Sequence, residues 1–198
     1  MSKKPSSSRA KKQSEKQSNK WRSLLLWGLP VLGVIGLGYL LYLGLRDPVP
    51  EEVIEGVVDH PHQERDHVDE KIEAGDLPPV GGSHSPVWQN CGIYDEPIAV
   101  ENGTHSLEHG ALWIAYQPEL PQEDIETLRD KSRGEAFVLL APYPGLKSPI
   151  VLTAWETQLE LDSVVDDRLD EFIDIYQQGP TTPERGASCQ DGVGTPIS

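Results

Sequence analysis

The chain has 198 residues, 17 Lys/Arg against 32 Asp/Glu, a formal net charge of −15 and only two cysteines. Its acidic bulk excludes a basic nucleic-acid binder, and two cysteines exclude a disulfide-dense mini-protein. The charge falls into three blocks: residues 1–22 carry +7, residues 23–45 carry no charge, and residues 46–198 carry −22.

Residues 1–22 show no apolar periodicity and read as a disordered basic arm. Residues 23–45, SLLLWGLPVLGVIGLGYLLYLGL, lie between Arg22 and Arg46. As a helix this stretch is roughly 34 Å long, enough to cross a hydrocarbon core of about 30 Å. Trp21 and Trp27 at one end, and Tyr39 and Tyr42 near the other, suit the two interfaces. The stretch exceeds the roughly 7–15 apolar residues of a cleaved signal peptide, and no small-residue cleavage site follows it. It is therefore read as a retained transmembrane helix, with the lipid bilayer as partner. The Lys/Arg excess before it places the N-terminus in the cytoplasm and the C-terminal domain outside the cell membrane. With no ionisable residue in the span, no channel or transport role is assigned.

Residues 46–76 read as a solvated acidic stalk, residues 77–179 as the exported domain, and residues 180–198 as a turn-rich tail. Strands are predicted over Ala111–Tyr116, Ala136–Ala141 and Ile150–Trp155, with a short fourth over Gln158–Leu161. One helix is predicted from Pro121 to Gly134, with acids in its first turn and Arg/Lys in its last. A second runs from about Asp166 to Gln177, where Leu169, Phe172, Ile173 and Tyr176 share one face. This order predicts an α+β fold, a small mainly antiparallel sheet with two helices, preceded by one transmembrane helix.

Cys91 and Cys189 both fall on the exported side, where disulfides persist. A bridge would pin the tail to the start of the domain and, across a loop of this size, is worth roughly 4–5 kcal/mol. A metal thiolate at Cys91 and two free thiols are the alternatives.

None of the six histidines precedes residue 60. His105 and His109 in THSLEHG stand four apart, so one helical face presents both imidazoles to a shared metal. His84 in GGSHSP supplies a third nitrogen from a tight loop, and His67 a fourth, a set that suits zinc or copper(II). With Met1 as the sole methionine, a thioether-rich copper(I) site is excluded. Buried histidines can also hydrogen-bond backbone with no metal at all. His60 and His62 form a weaker pair among acids.

His105-Ser-Leu-Glu108-His109 also matches H-x-x-E-H, in which two histidines bind zinc and the glutamate is the general base. Its context is poor. Gly103 and Gly110 flank it and a strand follows at once, leaving about a turn and a half of helix. No nucleophile elbow or phosphate-binding glycine loop occurs. Trp88, Trp113 and Trp155 read as core or pocket-wall residues.

The segments PPVGGSHSPVWQNCGIYDEPI, ENGTHSLEHGALWIAY and VLLAPYPGLKSPIVLTAWETQLELD, with QQGP, resemble the bacterial membrane-anchored family catalogued as domain of unknown function 3105. The resemblance covers roughly Val68 to Cys189, and Ser83 stands where that family usually has proline. It implies that His84, His105, Glu108 and His109 form one site, with His67 matching an upstream family histidine. The family has no established activity, so no substrate is implied.

The leading expectation is a single-pass membrane protein whose exported domain binds a metal ion through a histidine cluster. A structural or interaction module without metal, engaging a membrane or exported protein partner, is the second. A zinc-dependent hydrolase with Glu108 as its catalytic residue is the third. The balance favours a non-enzymatic role.

Overall fold

The computed structural model describes residues 54–197, together with Leu37. The expected basic arm and all of the expected membrane span except Leu37 lie outside the described residues. Among the described residues no helix is long and apolar enough to cross a membrane.

Six strands form one sheet: β1 (Val58–Asp59), β2 (Gly92–Ile93), β3 (Leu112–Tyr116), β4 (Val138–Pro142), β5 (Ile150–Ala154) and β6 (Thr157–Leu161). Three helices accompany them among the described residues: α1 (Val100–Glu108), α2 (Gln122–Ser132) and α3 (Arg168–Tyr176). The strand order is β1-β6-β5-β3-β4-β2. The α+β class agrees with expectation, but two features are corrected. The sheet is mixed, since β3 and β2 both run parallel to β4 while β3–β5, β5–β6 and β1–β6 are antiparallel. There are three helices where two were expected.

The parallel pairing follows from α2. A helix between two neighbouring strands returns the chain to the same end of the sheet, so β3 and β4 must run in one direction. Every residue of β3, β4 and β5 is buried, as expected of strands covered on both faces. Alternation along β3 sorts its side chains. Leu112, Ile114 and Tyr116 join a core with Leu128 of α2 and Leu169 and Phe172 of α3. Trp113 and Ala115 face a second core with Val100 and Leu107 of α1, and with Cys91 and Cys189.

The extra helix, α1, is the motif-bearing segment. Gly103 lies inside it rather than at its boundary. A Cβ on Gly103 would sit 2.7 Å from Cζ3 of Trp113, so the absence of a side chain lets the helix settle onto the β3 indole. Only Glu101 and Asn102 of its nine residues escape full burial. Burial on that scale explains why a segment with glycine at its centre is helical: packing outweighs a propensity penalty of about 1 kcal/mol.

The presumed stalk is also corrected from Ile54 onward. Ile54 is buried in the core, and β1 pairs with β6 through Val58–Gln158 and Asp59–Thr157. Further along, His67 and His84 form a parallel bridge, with Val68 donating to the His84 carbonyl at 2.7 Å and His84 donating to the Asp66 carbonyl at 3.0 Å. Composition alone suggested solvation, but the backbone of this acidic segment is paired while its carboxylates stay in water. Cys91 and Cys189 are joined as a disulfide, with Cα atoms 5.4 Å apart, and both are buried.

The Gly103–Trp113 contact gives a test of the packing. Gly103→Ala should gain about 1 kcal/mol of helix propensity but lose about 1–3 kcal/mol to overpacking, a net destabilisation. Urea denaturation should show a lower midpoint; a higher one would mean that Trp113 is not held against the helix.

Candidate metal centre

Three separate segments converge on one point. The first is the loop carrying His67. Gln63 donates its backbone N–H to Oε1 of Glu156 at 3.0 Å, and a Cβ on Gly81 would stand 2.7 Å from the Gln63 Cβ. Glycine at 81, with φ at +145°, therefore lets the two loops lie against each other. The second segment carries His84 and is tied to the β5–β6 hairpin, where Glu156 donates to the Val80 carbonyl at 2.7 Å. The third is α1, which carries His105, Glu108 and His109 at its C-terminal end.

One ligating atom each from His67, His84, His105 and Glu108 falls within 4.8 Å of all the others. His84, His105, Glu108 and His109 are all buried, at 0%, 3%, 3% and 5% exposure. The His67 side chain is 48% exposed and forms the solvent side of the cluster. Its ring stacks on His105 with centroids 4.9 Å apart, and the His84 ring meets both edge-on at the same distance. Trp155 lies edge-on to His84 at 5.8 Å, and half-buried Trp88 lies 5.7 Å from His105 and 4.8 Å from His109.

The hydrogen bonds fix which nitrogen of each ring carries its proton. Nδ1 of His84 faces the Gly82 carbonyl at 2.7 Å, Nδ1 of His105 faces the Ser85 carbonyl at 2.6 Å, and Nδ1 of His109 faces the Ser188 carbonyl at 2.7 Å. A carbonyl oxygen can only accept, so each Nδ1 donates, and all three rings turn Nε2 inward. Those inward nitrogens meet further acceptors. Nε2 of His84 lies 3.0 Å from Oε2 of Glu108, and Nε2 of His105 lies 3.0 Å from Nε2 of His109. Burial, above all, holds the His105 pKa down at about 4, assisted by the neighbouring imidazoles and opposed by the Ser85 carbonyl. His105 is therefore a neutral ring with a free lone pair at ordinary pH.

Glu108 is a buried carboxylate whose Oε1 lies 3.6 Å from the half-exposed Arg65 guanidinium. Its Oε2 lies 3.8 Å from Nε2 of His67. The carboxylate thus stands among the nitrogen donors rather than behind them. The H-x-x-E-H spacing supplies a helix of nine residues, longer than the turn and a half expected, and both histidines point to the same place.

The expected ligands His67, His84 and His105 are brought together; His109 adjoins His105 but stands outside the four-atom group. Cys91 is bonded to Cys189 and offers no thiolate. His60 and His62 are exposed and take no part in the group. Glu108 was expected in one site with the histidines, and as the base of a hydrolase, but not among the metal ligands; Arg65 was not anticipated, nor was Glu184, whose Oε2 lies 3.8 Å from Nε2 of His109. Neither has a motif signature, since both reach the centre by loop placement.

The profile of the family described as Protein of unknown function (DUF3105) matches residues 67–191. No curated protein and no solved structure matches the chain.

The tautomer assignment can be checked directly. In ¹⁵N-resolved imidazole spectra at neutral pH, the Nδ1 atoms of His84, His105 and His109 should all resonate as protonated nitrogens. An unprotonated Nδ1 at any of the three would overturn the assignment.

Proposed function

The chain belongs to the DUF3105 family, and from that premise we propose that it is a membrane-anchored protein whose extracytoplasmic domain binds one divalent metal ion, zinc or copper(II), through His67, His84, His105 and Glu108. The observation that carries the reading is the convergence of three imidazoles and a carboxylate on one point. Each of three buried imidazoles donates Nδ1–H to a backbone carbonyl and turns Nε2 toward another imidazole or the Glu108 carboxylate. The Glu108 carboxylate is buried beside them, with the half-exposed Arg65 guanidinium 3.6 Å from Oε1 and imidazole nitrogens facing Oε2. A divalent cation at this point would offset the cost of burying that charge.

Outward Nδ1–H bonds to carbonyls are also the arrangement that orients metal-binding imidazoles and raises their basicity. The donor set of nitrogens and one carboxylate suits zinc and copper(II) and lacks the soft sulfur that copper(I) prefers. With Glu108 among the donors, it is not placed as a base behind a metal-bound water, so ion binding is favoured over hydrolysis.

The cellular placement rests on the charge blocks. The +7 arm, the uncharged stretch over residues 23–45 and the acidic remainder support an anchor with the N-terminus in the cytoplasm and the domain outside the cell membrane. The cysteine pairing accords with an oxidising compartment. An acidic surface outside the membrane also attracts cations toward the half-exposed His67 side of the cluster.

Titration of the full-length chain in detergent micelles with Zn(II) or Cu(II) should show about one ion bound per chain, with Cu(II) quenching the fluorescence of Trp88 and Trp155. Free ion at about 100 times its Kd should raise stability by about 2.7 kcal/mol. His84→Ala or Glu108→Gln should weaken binding about 10–100-fold or more. Retention of less than about 0.2 equivalents after mild preparation would remove the metal reading.

A further inference from the structure

The parallel half of the sheet has an open end. β2, β4 and β3 run in one direction, and the chain leaves the carboxyl ends of β2 and β3 toward opposite faces. From β2 it passes to α1, which packs with Trp113 and Ala115 on one face of β3. From β3 it passes to α2, whose Leu128 packs with Leu112 and Ile114 on the other. Connections that diverge in this way leave a crevice beyond the strand ends, where ligands bind in open α/β sheets. A cleft of about 470 Å³ lies there, between the last residues of β3 and β4, the loop after β2 and one side of α2. Small-molecule sites have volumes of about 300–1,000 Å³. None of the candidate metal ligands lines this cleft. They gather where α1 leads into the start of β3, and the cleft lies at the far end of that strand, about 13 Å along it.

The walls of the cleft are apolar and its polar groups are few. Pro97, Pro118, Pro142 and Pro144 carry no N–H and, with Ile125, present a rigid apolar surface. Tyr116 closes the end of β3 and is 3% exposed. The buried Tyr94 and Tyr143 spend their hydroxyls on the carbonyls of Asn90 and Leu77. The Tyr116 hydroxyl, in contrast, makes no hydrogen bond among the described residues. A buried phenol ordinarily finds a partner, so this one is left for a group that enters the cleft. Burial, above all, pushes its pKa up, opposed by the Arg129 charge and assisted by Asp95, so it is a neutral hydroxyl at ordinary pH.

Charge decides what can enter. Arg129 is the one basic residue of the lining, and its guanidinium is already paired with Asp95 and Glu126. Glu96 stands exposed at the rim and pairs with no cation among the described residues. The surplus is negative, so the cleft repels an anion and draws in a cation.

We propose that this cleft is a second binding site, separate from the metal centre, and that its ligand is a small organic cation, an amine carrying an apolar body. The ammonium donates to the Tyr116 hydroxyl oxygen and to the Glu96 carboxylate, and the apolar body lies against the prolines and Ile125.

The test uses the full-length chain in detergent micelles, stripped of metal by a chelator, so its outcome is separate from that of the metal reading. Three probes of one shape and different charge are titrated: phenethylamine, 2-phenylethanol and phenylacetate. The amine should shift the ¹H–¹⁵N amide signals of Tyr116, Ile125 and Asp95 and leave those of His84 and His105 in place. Its Kd should be about 10-fold or more below that of the alcohol, with phenylacetate the weakest. Glu96→Gln should weaken the amine about 3-fold or more and leave the alcohol unchanged. Tyr116→Phe, which keeps the ring packed, should weaken the amine about 10-fold. Absence of amide shifts with the amine, shifts at the histidines instead, or an alcohol or anion that binds as tightly would overturn the proposal. Full affinity for the amine in either variant would do the same. Circular dichroism checks the fold of Tyr116→Phe, and Glu96→Gln decides alone if that fold is lost.

Discussion

Three backbone carbonyls govern this molecule's candidate site. Gly82, Ser85 and Ser188 each accept the Nδ1 proton of a buried imidazole, and each thereby turns Nε2 inward. Because a carbonyl has no alternative role in a hydrogen bond, the tautomers are set by the course of the main chain rather than by other side chains. Imidazole nitrogens and the Glu108 carboxylate line the resulting pocket, with the Arg65 guanidinium 3.6 Å from Oε1. Loop conformation, helix docking and tail placement all serve to bring those carbonyls into position.

The sheet is the platform for that arrangement. α1 is seated on the face of β3 through Gly103 and Trp113, so the C-terminal turn of the helix lies over a fully buried strand. The β5–β6 hairpin holds the glycine turn before His84, and that turn in turn receives the loop of His67. Two of these supports are glycines whose missing Cβ permits an approach that any other residue would obstruct. Conformational entropy lost in ordering such loops is offset by the hydrogen bonds to the hairpin and by the disulfide, which removes freedom from the unfolded chain instead of adding contacts to the folded one.

The helices α2 and α3 and the strands β3 to β6 were legible to within two residues, the helices from end signals and apolar period and the strands from short apolar runs bounded by turn residues, all of them local features. The same logic failed at α1, where Gly103 looked like a boundary. Its place inside a helix depends on an indole ten residues ahead, which no local window contains. It failed again over residues 54–76, where acidic composition suggested a stalk. There the backbone pairs with distant partners at Gln158 and His84 while the charged side chains remain solvated. The mixed sheet was missed for a related reason: the crossover helix was recognised, but its directional consequence for the two strands was not drawn.

Sequence by itself determined the three charge blocks, the α+β alternation and the candidate histidines, because charge, periodicity and spacing are properties of neighbouring residues. It also raised the pairing of Cys91 with Cys189, since two cysteines allow only one intramolecular bond. Tertiary structure alone decided that His67, His84, His105 and Glu108 share one point, that Glu108 stands among the donors, and that His109 takes its orientation from a tail 79 residues away. The physical reason is that a tautomer depends on which main-chain oxygen faces which ring nitrogen. That relation joins residues far apart in the chain, and it exists only once the chain has folded.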